Sequence, residues 1–413
     1  MVGAFDPDAQ PGILRKCQKA GTCYGPDQMR VAYGFQPLLD RGIDGSGRTI
    51  VIIDAYGSNT LANDLGLFNQ YFGVPASMVN VIYPDGAPSP TTASNAFVWK
   101  AETTLDVEWA HAIAPGAAID LVVAKSNDDA DLLSATQYVA DHNLGDVLSQ
   151  SYGEAEQCMD PRVFAAQHSV FDQLTRQGVT LLASSGDQGA AQPSCDGRSY
   201  VKAASTPASD PNVTAVGGTK LVAQPATADA DGFVAAVGGN YISESVWNEK
   251  IGSSGGGGVS AFYSRPSYQA PVVKDSRMRE IPDISYNAAV TGGVLGVLSC
   301  GPAECGLAQA TYFFRFGGTS AGSPQWAALV AMADQLAGGR VGAINKALYR
   351  LGKSPFASTF FHDVTVGDNS VAADAGTPGT PITGYSAAPG FDMATGWGSP
   401  NATALVPALA VAG

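Results

Sequence analysis

Three short runs along the chain are almost uninterruptedly apolar and rich in branched side chains: Thr49-Ile50-Val51-Ile52-Ile53, Ala118-Ile119-Asp120-Leu121-Val122-Val123 and Thr180-Leu181-Leu182-Ala183. Runs of this length and kind read as strands buried on both faces. Between them, residues 130–142 and 163–177 carry apolar side chains at helical spacing. The alternation predicts repeated strand-helix-strand units. It therefore points to an α/β fold with a mostly parallel sheet flanked by helices on both faces. In such sheets ligands bind beyond the C-terminal ends of the strands, so those ends are where chemistry is sought.

Composition narrows the picture. No charge run, proline-rich stretch or low-complexity linker divides the 413 residues, so residues 1–413 are expected to form a single domain, about the first 30 of them an N-terminal extension. No apolar run reaches the length of a membrane span. The net charge of -14 and pI near 4.6 disfavour nucleic acid, which repels a protein of this sign. Only 15% of residues are charged, so self-repulsion in acid would be mild. That fits an acid-adapted protein or simply a soluble acidic one.

The six cysteines, Cys17, Cys23, Cys158, Cys195, Cys300 and Cys305, form two close pairs around short loops and one distant pair. Neither close pair has C-x-x-C spacing or an adjacent histidine, which disfavours a metal site. Three disulfides are expected; local closure favours Cys17–Cys23 and Cys300–Cys305, leaving Cys158 for Cys195. Disulfides imply an oxidising compartment, hence a secreted protein. Residues Met1 to Asp6 show no signal peptide, and the sequence reads as a mature or trimmed chain.

Chemistry concentrates first at Gly318-Thr319-Ser320-Ala321-Gly322-Ser323-Pro324, which precedes the apolar helical stretch Gln325 to Met332. Glycines on both sides leave the Ser320 hydroxyl uncrowded, and Pro324 suits a first helical turn. Backbone N–H groups at a helix start can hold a developing oxyanion. A conventional proton acceptor would be one of four histidines: His111, His142, His168 or His362. The stretch Lys100 to His111 offers another. At about 100° per residue, Glu102 and Asp106 lie about 40° apart on one helix face, with His111 about 180° from Glu102. Alone, this pair would read as a solvated acidic patch; beside a nucleophilic serine it reads as a base and its partner. A third segment, Ser184-Ser185-Gly186-Asp187-Gln188-Gly189, ends a strand with an acidic loop. It is an Asx turn or an aspartic acid aimed at the cleft, where a neutral carboxyl can donate to an oxyanion.

These segments, with Ala114-Pro115-Gly116, Ser151-Tyr152-Gly153, Pro207-Ala208-Ser209, Val213 to Thr219, Gly255 to Ser260, Pro282-Asp283-Ile284-Ser285 and Gly396-Trp397-Gly398, resemble in order the sedolisins. These are serine-carboxyl peptidases of the kumamolisin and tripeptidyl-peptidase type. The resemblance runs from Gly34 to Pro400. It implies a subtilisin-like three-layer fold, with Ser320 as nucleophile, Glu102 as general base and later acid, Asp106 tuning Glu102, and Asp187 in the oxyanion hole. Asp54 would extend the carboxylate network, at the end of its strand; Tyr152 stands where some relatives have tryptophan. Ser151, Tyr152, Gly153, Gly256 and Gly257 would line the substrate cleft. One structural calcium ion would be held by Asp363 and Asp392 with carbonyls of Val364, Ala388 and Gly390, a donor set suited to a hard cation.

The resemblance further implies polypeptide substrates, internal cleavage rather than removal of tripeptides, a monomer, and maturation from a zymogen whose propeptide is absent from this sequence. A protonated Asp187 and an ionised Glu102 coexist mainly in acid, so an acidic optimum is expected. Three other readings compete. A subtilisin-like protease would use Asp54, His111 and Ser320. An esterase would use Gly318 to Gly322 as its nucleophile elbow with a downstream acid and histidine, for which His362 comes early. A non-catalytic secreted binding protein would keep these residues for no chemical reason.

Overall fold

Residue parity along the first long strand decides which side chains meet beneath the helix Ala93–Ile113. In β1 (Thr49–Ala55), Val51, Ile53 and Ala55 pack into one apolar core and Ile50 and Ile52 into the other. Successive side chains in a strand point to opposite faces. Asp54 therefore falls on the side of Ile50 and Ile52, inside the strand rather than at its end. The computed structural model describes residues 3–5, 15–249, 253–274, 276–306, 311–372 and 381–412.

The main sheet grows outward from β1 by parallel pairing. On one side lie β3 (Ala118–Ala124) and then β2 (Val79–Ile82); on the other come β4 (Val147–Gln150), β5 (Thr180–Ser184) and β6 (Val213–Ala223). A parallel strand β8 (Ile284–Asn287) and an antiparallel strand β7 (Tyr241–Val246) complete it against β6. The expected runs thus form strands, each a little longer than its apolar stretch, and the structure has the mostly parallel architecture read from the sequence.

Helices cover both faces. On one face α3 (Asp129–Asp141) and α4 (Pro161–Arg176) seal the core of Val51, Ile53, Leu148 and Leu181. On the other, α2 (Ala93–Ile113) lies against α5 (Gly322–Ala337), with α1 (Leu61–Phe72) and α6 (Ala402–Ala410) alongside. From Gly322 to Asp334, α5 is buried all round. A helix apolar on every face belongs in a core, which fixes the serine at its entrance relative to the sheet. A second sheet includes β9 (Gly293–Ser299) and β10 (Thr311–Phe316), and the Val297 N–H donates to the buried Glu108 carboxylate on α2.

All three expected disulfides are closed: Cys17–Cys23, Cys158–Cys195 and Cys300–Cys305. Residues 15–30 of the expected extension pack into the core. Tyr24 and Met29 are buried, and Arg30 Nε donates to the Ala112 carbonyl at 2.8 Å. The first residues of that stretch, 1–2 and 6–14, lie outside the described residues. Among the described residues, no helix is long and apolar enough to cross a membrane.

Candidate active site

Gly318 forms the hinge on which the serine loop turns. Its φ of 114° and ψ of 157° are open to glycine, and a Cβ there would sit 2.7 Å from Asp187 Oδ2. A 3-10 turn, Thr319–Ala321, then leads into α5. Asp187 is clamped by this turn: its Oδ1 accepts from the Thr319 N–H at 2.7 Å and the Thr319 hydroxyl at 2.9 Å. Its Oδ2 takes no hydrogen bond among the described residues. The loop is braced behind by Ser254 N–H to the Asp187 carbonyl at 2.9 Å.

Opposite stands α2. Glu102 lines the same cleft as Ser320, whose hydroxyl donates to the Ser151 carbonyl at 3.4 Å, and Glu102 Oε1 is buried with no hydrogen-bond partner among the described residues. One turn further, Asp106 is fully buried; Asp54 rises from β1 beneath and is buried as well. No oxygen of Asp54 or Asp106 receives an ordinary hydrogen bond from an amide or alcohol among the described residues. Burial pushes Asp54 up to about 7. Burial pushes Glu102 up to about 8, eased by Ser320 and reinforced by the charges of Asp54 and Asp187. Asp106 is raised well above the carboxylate range by burial, then by Asp54 and Glu102. Like charges this close cannot all ionise, so the three share protons and titrate as a set.

A cleft of about 330 Å³ opens over these groups, lined by Trp99, Glu102, Ser151, Tyr152, Asp187 and Ser320 among others. The sequence-predicted Ser151, Tyr152 and Gly153 border it; Gly256 and Gly257 do not. Gly256 spends its N–H on the Gly186 carbonyl at 2.7 Å and its carbonyl on the Ser185 hydroxyl at 2.7 Å. A Cβ on Gly257 would fall 2.0 Å from the Met393 carbonyl oxygen. Both glycines allow close packing behind the oxyanion loop, and Gly256, with its N–H and carbonyl both occupied, offers no free edge to a peptide. Trp99, three residues before Glu102, and the Thr319 clamp escaped the sequence reading. The first could have been found from its place one turn from the base.

None of the four histidines reaches the cleft. His111 Nε2 is 2.7 Å from the Pro75 carbonyl oxygen, His142 stacks on Tyr138, His168 pairs with Asp210 at 2.7 Å and His362 stacks on Tyr241. Neither the triad of Asp54, His111 and Ser320 nor an elbow using His362 can form.

The residues expected to hold calcium come together at another corner, where the described residues include no cluster of three acidic, histidine or cysteine side chains. Asp363 Oδ2 accepts from Gly390 N–H at 2.9 Å, and Asp392 Oδ2 from Ala388 N–H at 2.8 Å, so both carboxylates converge on one loop. Burial pushes the Asp392 carboxyl up, and the amides of Ala388, Ala394 and Thr395 pull the other way. Among the described residues the carbonyls of Val364, Ala388 and Gly390 accept no hydrogen bond, although Val364 is buried. Two carboxylates beside three unsatisfied carbonyls fit a hard cation.

Known proteins resemble this chain in both sequence and shape. It is 35% identical to kumamolisin of Bacillus sp. (strain MN-32) over 411 residues, 96% of this chain and 65% of that one. It is 30% identical to sedolisin of Pseudomonas sp. (strain 101) over 85% of this chain and 56% of that one. Human tripeptidyl-peptidase 1 is 29% identical over 64% of this chain and 43% of its own length. The chain thus spans less than two thirds of the length of these relatives. A solved structure of Pseudomonas sedolisin, a serine-carboxyl proteinase complexed with two molecules of pseudo-iodotyrostatin, superposes with a TM-score of 0.74. It is 26% identical and covers 93% of this chain and 97% of that one. No protein-family model matches the chain.

Proposed function

Because the chain belongs to the sedolisin family, we propose that it hydrolyses peptide bonds through an acyl-enzyme on Ser320. The observation that carries this is that Glu102, Asp187 and Ser320 line one cleft that no histidine reaches. Ser320 Oγ bonds to the scissile carbonyl carbon as its proton passes to the Glu102 carboxylate. The oxyanion accepts hydrogen bonds from the Asp187 carboxyl, through Oδ2, and from the Ser320 N–H. Collapse returns the proton from Glu102 to the leaving amine, and water reverses the sequence to free the acid. Asp106 and Asp54 hold the proton that keeps the set from carrying three charges. Secretion rests on the three closed disulfides.

The pH dependence has a definite sign. A carboxyl donates to an oxyanion only while it holds its proton, so hydrolysis of an unfolded protein should peak in acid and fall towards neutrality. Stability should move the same way. Asp54, Asp106 and Glu102 as a coupled set retain protons in the fold that the unfolded chain releases at about 4, while one carboxylate of the set stays ionised to act as base. Their stabilisation is complete below the unfolded values and is lost as pH rises through the folded ones, a change on the order of a few kcal/mol. His362, pushed down to about 4 by burial, acts oppositely, losing its contribution as pH falls below the ordinary histidine value. The thermal midpoint should therefore decline between pH 5 and pH 9, and less steeply in Asp54→Asn. A neutral activity optimum would overturn the oxyanion assignment; a midpoint flat across that range would overturn the shared-proton account.

We further propose one structural calcium ion held by Asp363, Asp392 and the carbonyls of Val364, Ala388 and Gly390. It would supply charge for the buried Asp392 and pin the C-terminal loop. At a free concentration 100 times Kd it adds about 2.7 kcal/mol. Chelation should lower the thermal midpoint, added calcium restore it, and Asp392→Ala abolish the response. An unchanged midpoint with and without calcium at pH 6 would remove the site.

A further inference from the structure

The hairpin of the second sheet touches both halves of the site. β10 ends at Phe316, four residues before Ser320, so the serine loop is its direct continuation. Its antiparallel partner β9 lies against α2, the helix that carries Glu102. At about 100° per residue, Phe97, Lys100 and Glu108 fall within an arc of about 80° on α2, and Glu102 lies at least about 120° from each of them. The side of α2 turned away from the base is therefore the one that meets the hairpin. There Phe97 packs on Phe314, with ring centroids 6.3 Å apart, and the Val297 N–H donates to Glu108 at 3.0 Å.

The third contact on that side is ionic. Beyond β9, the Cys300–Cys305 bond closes a loop around a short helical turn, Pro302–Cys305, and this loop carries Glu304. Lys100 is only 5% exposed, and its Nζ donates to Glu304 Oε1 at 2.7 Å. Glu304 Oε2 accepts from the Gly301 N–H at 2.9 Å, so the carboxylate is fixed to the loop that the disulfide closes. Burial pushes the Glu304 carboxyl up, but the Lys100 ammonium and the Gly301 amide outweigh it and hold the group below the usual carboxylate range. The pair therefore stays charged into acid. A lysine this buried is held by its partner, and the partner here sits on a covalently closed loop. Val98, Trp99 and Glu102, on either side of Lys100 in sequence, line the cleft, whereas Lys100 and Glu304 do not.

We infer that the disulfide-closed loop is a strut that sets the base against the nucleophile, with Lys100 as its positioning residue. The Lys100–Glu304 pair fixes the turn of α2 that bears Glu102 to the same hairpin whose second strand delivers Ser320. Without it, that turn can shift relative to the serine loop while the rest of the contact persists. Proton transfer tolerates little of this, since a displacement of about 1 Å costs on the order of 10²-fold in rate. This inference rests on the peptidase reading above.

The test measures kcat and KM for one peptide substrate in acid, with folded enzyme counted from the amplitude of its thermal transition. Lys100→Met and Glu304→Ala should each lower kcat by about tenfold to a hundredfold while KM stays within about twofold, because neither side chain touches substrate. Lys100→Arg, which keeps the charge, should recover most of the rate. The double variant should be no slower than the worse single one, since both remove the same contact. Cys300→Ser/Cys305→Ser should lower kcat in the same direction. Counting only folded enzyme separates positioning from stability, and Glu304→Ala, on a loop at the surface, carries the same test if Lys100→Met does not fold. Unchanged kcat in folded Glu304→Ala, a rise in KM alone, or losses that add in the double variant would overturn the strut and leave the peptidase reading intact. Wild-type cleavage that survives Ser320→Ala would overturn the peptidase reading itself.

Discussion

Glu102→Gln should slow hydrolysis of an unfolded protein by about 10³-fold to 10⁴-fold in kcat, and Ser320→Ala by at least as much, with the double variant no slower than the worse single one. Glutamine keeps the shape of the side chain and its place in the cleft with Ser320 but cannot take a proton, so the loss reports base chemistry rather than packing. Non-additivity follows because neither group works without the other. The residual rate would come from substrate binding and the oxyanion donors, Asp187 and the Ser320 N–H. Asp106→Asn should cost less, since it tunes the base without touching substrate. A Glu102→Gln enzyme within tenfold of wild type would hand the proton to another group, and the structure offers no histidine for that role.

The fold was legible because its signals are local. The apolar runs at 49–53, 118–123 and 180–183 could only be buried strands, and the helical spacing between them fixed the parallel architecture. Glu102 and Asp106 were legible for the same reason: a four-residue interval sets their shared face before any tertiary contact forms. Asp54 needed one more step, the parity of β1, which aims it beneath α2. What sequence could not yield was convergence between distant loops. Lys100 and Glu304 lie in no shared pattern and meet only because the second sheet packs along α2. Gly256 misled for a related reason. A glycine run suggests open backbone, whereas here the missing side chains let two loops touch.

The segment Pro282-Asp283-Ile284, recognisable in the sequence but without chemistry there, has a structural role that yields the second large effect. Arg279 and Asp283 are both fully buried, joined by Nη1 to Oδ1 at 3.0 Å and Nη2 to Oδ2 at 2.7 Å. Arg279 also donates to the carbonyls of Ser209 and Val213, while Asp283 accepts from the Tyr349 hydroxyl and the Ala215 N–H, each at 2.8 Å. The pair ties β6 and β8 to the loop at 208–213, on the flank of the sheet that carries the oxyanion loop. Arg279→Met should destabilise the protein by about 3–5 kcal/mol, because it leaves Asp283 charged and buried with no cation. Arg279→Lys should recover only part of the loss, since one ammonium cannot fill a planar fork of five donors. If the cost lies in the orphaned charge, Arg279→Met with Asp283→Leu should be more stable than Arg279→Met alone. Urea unfolding of the three variants decides it. A cost below about 1 kcal/mol for Arg279→Met would put this pair among the weak surface ones, and a double variant less stable than the single would show that geometry, not charge, is what the pair supplies.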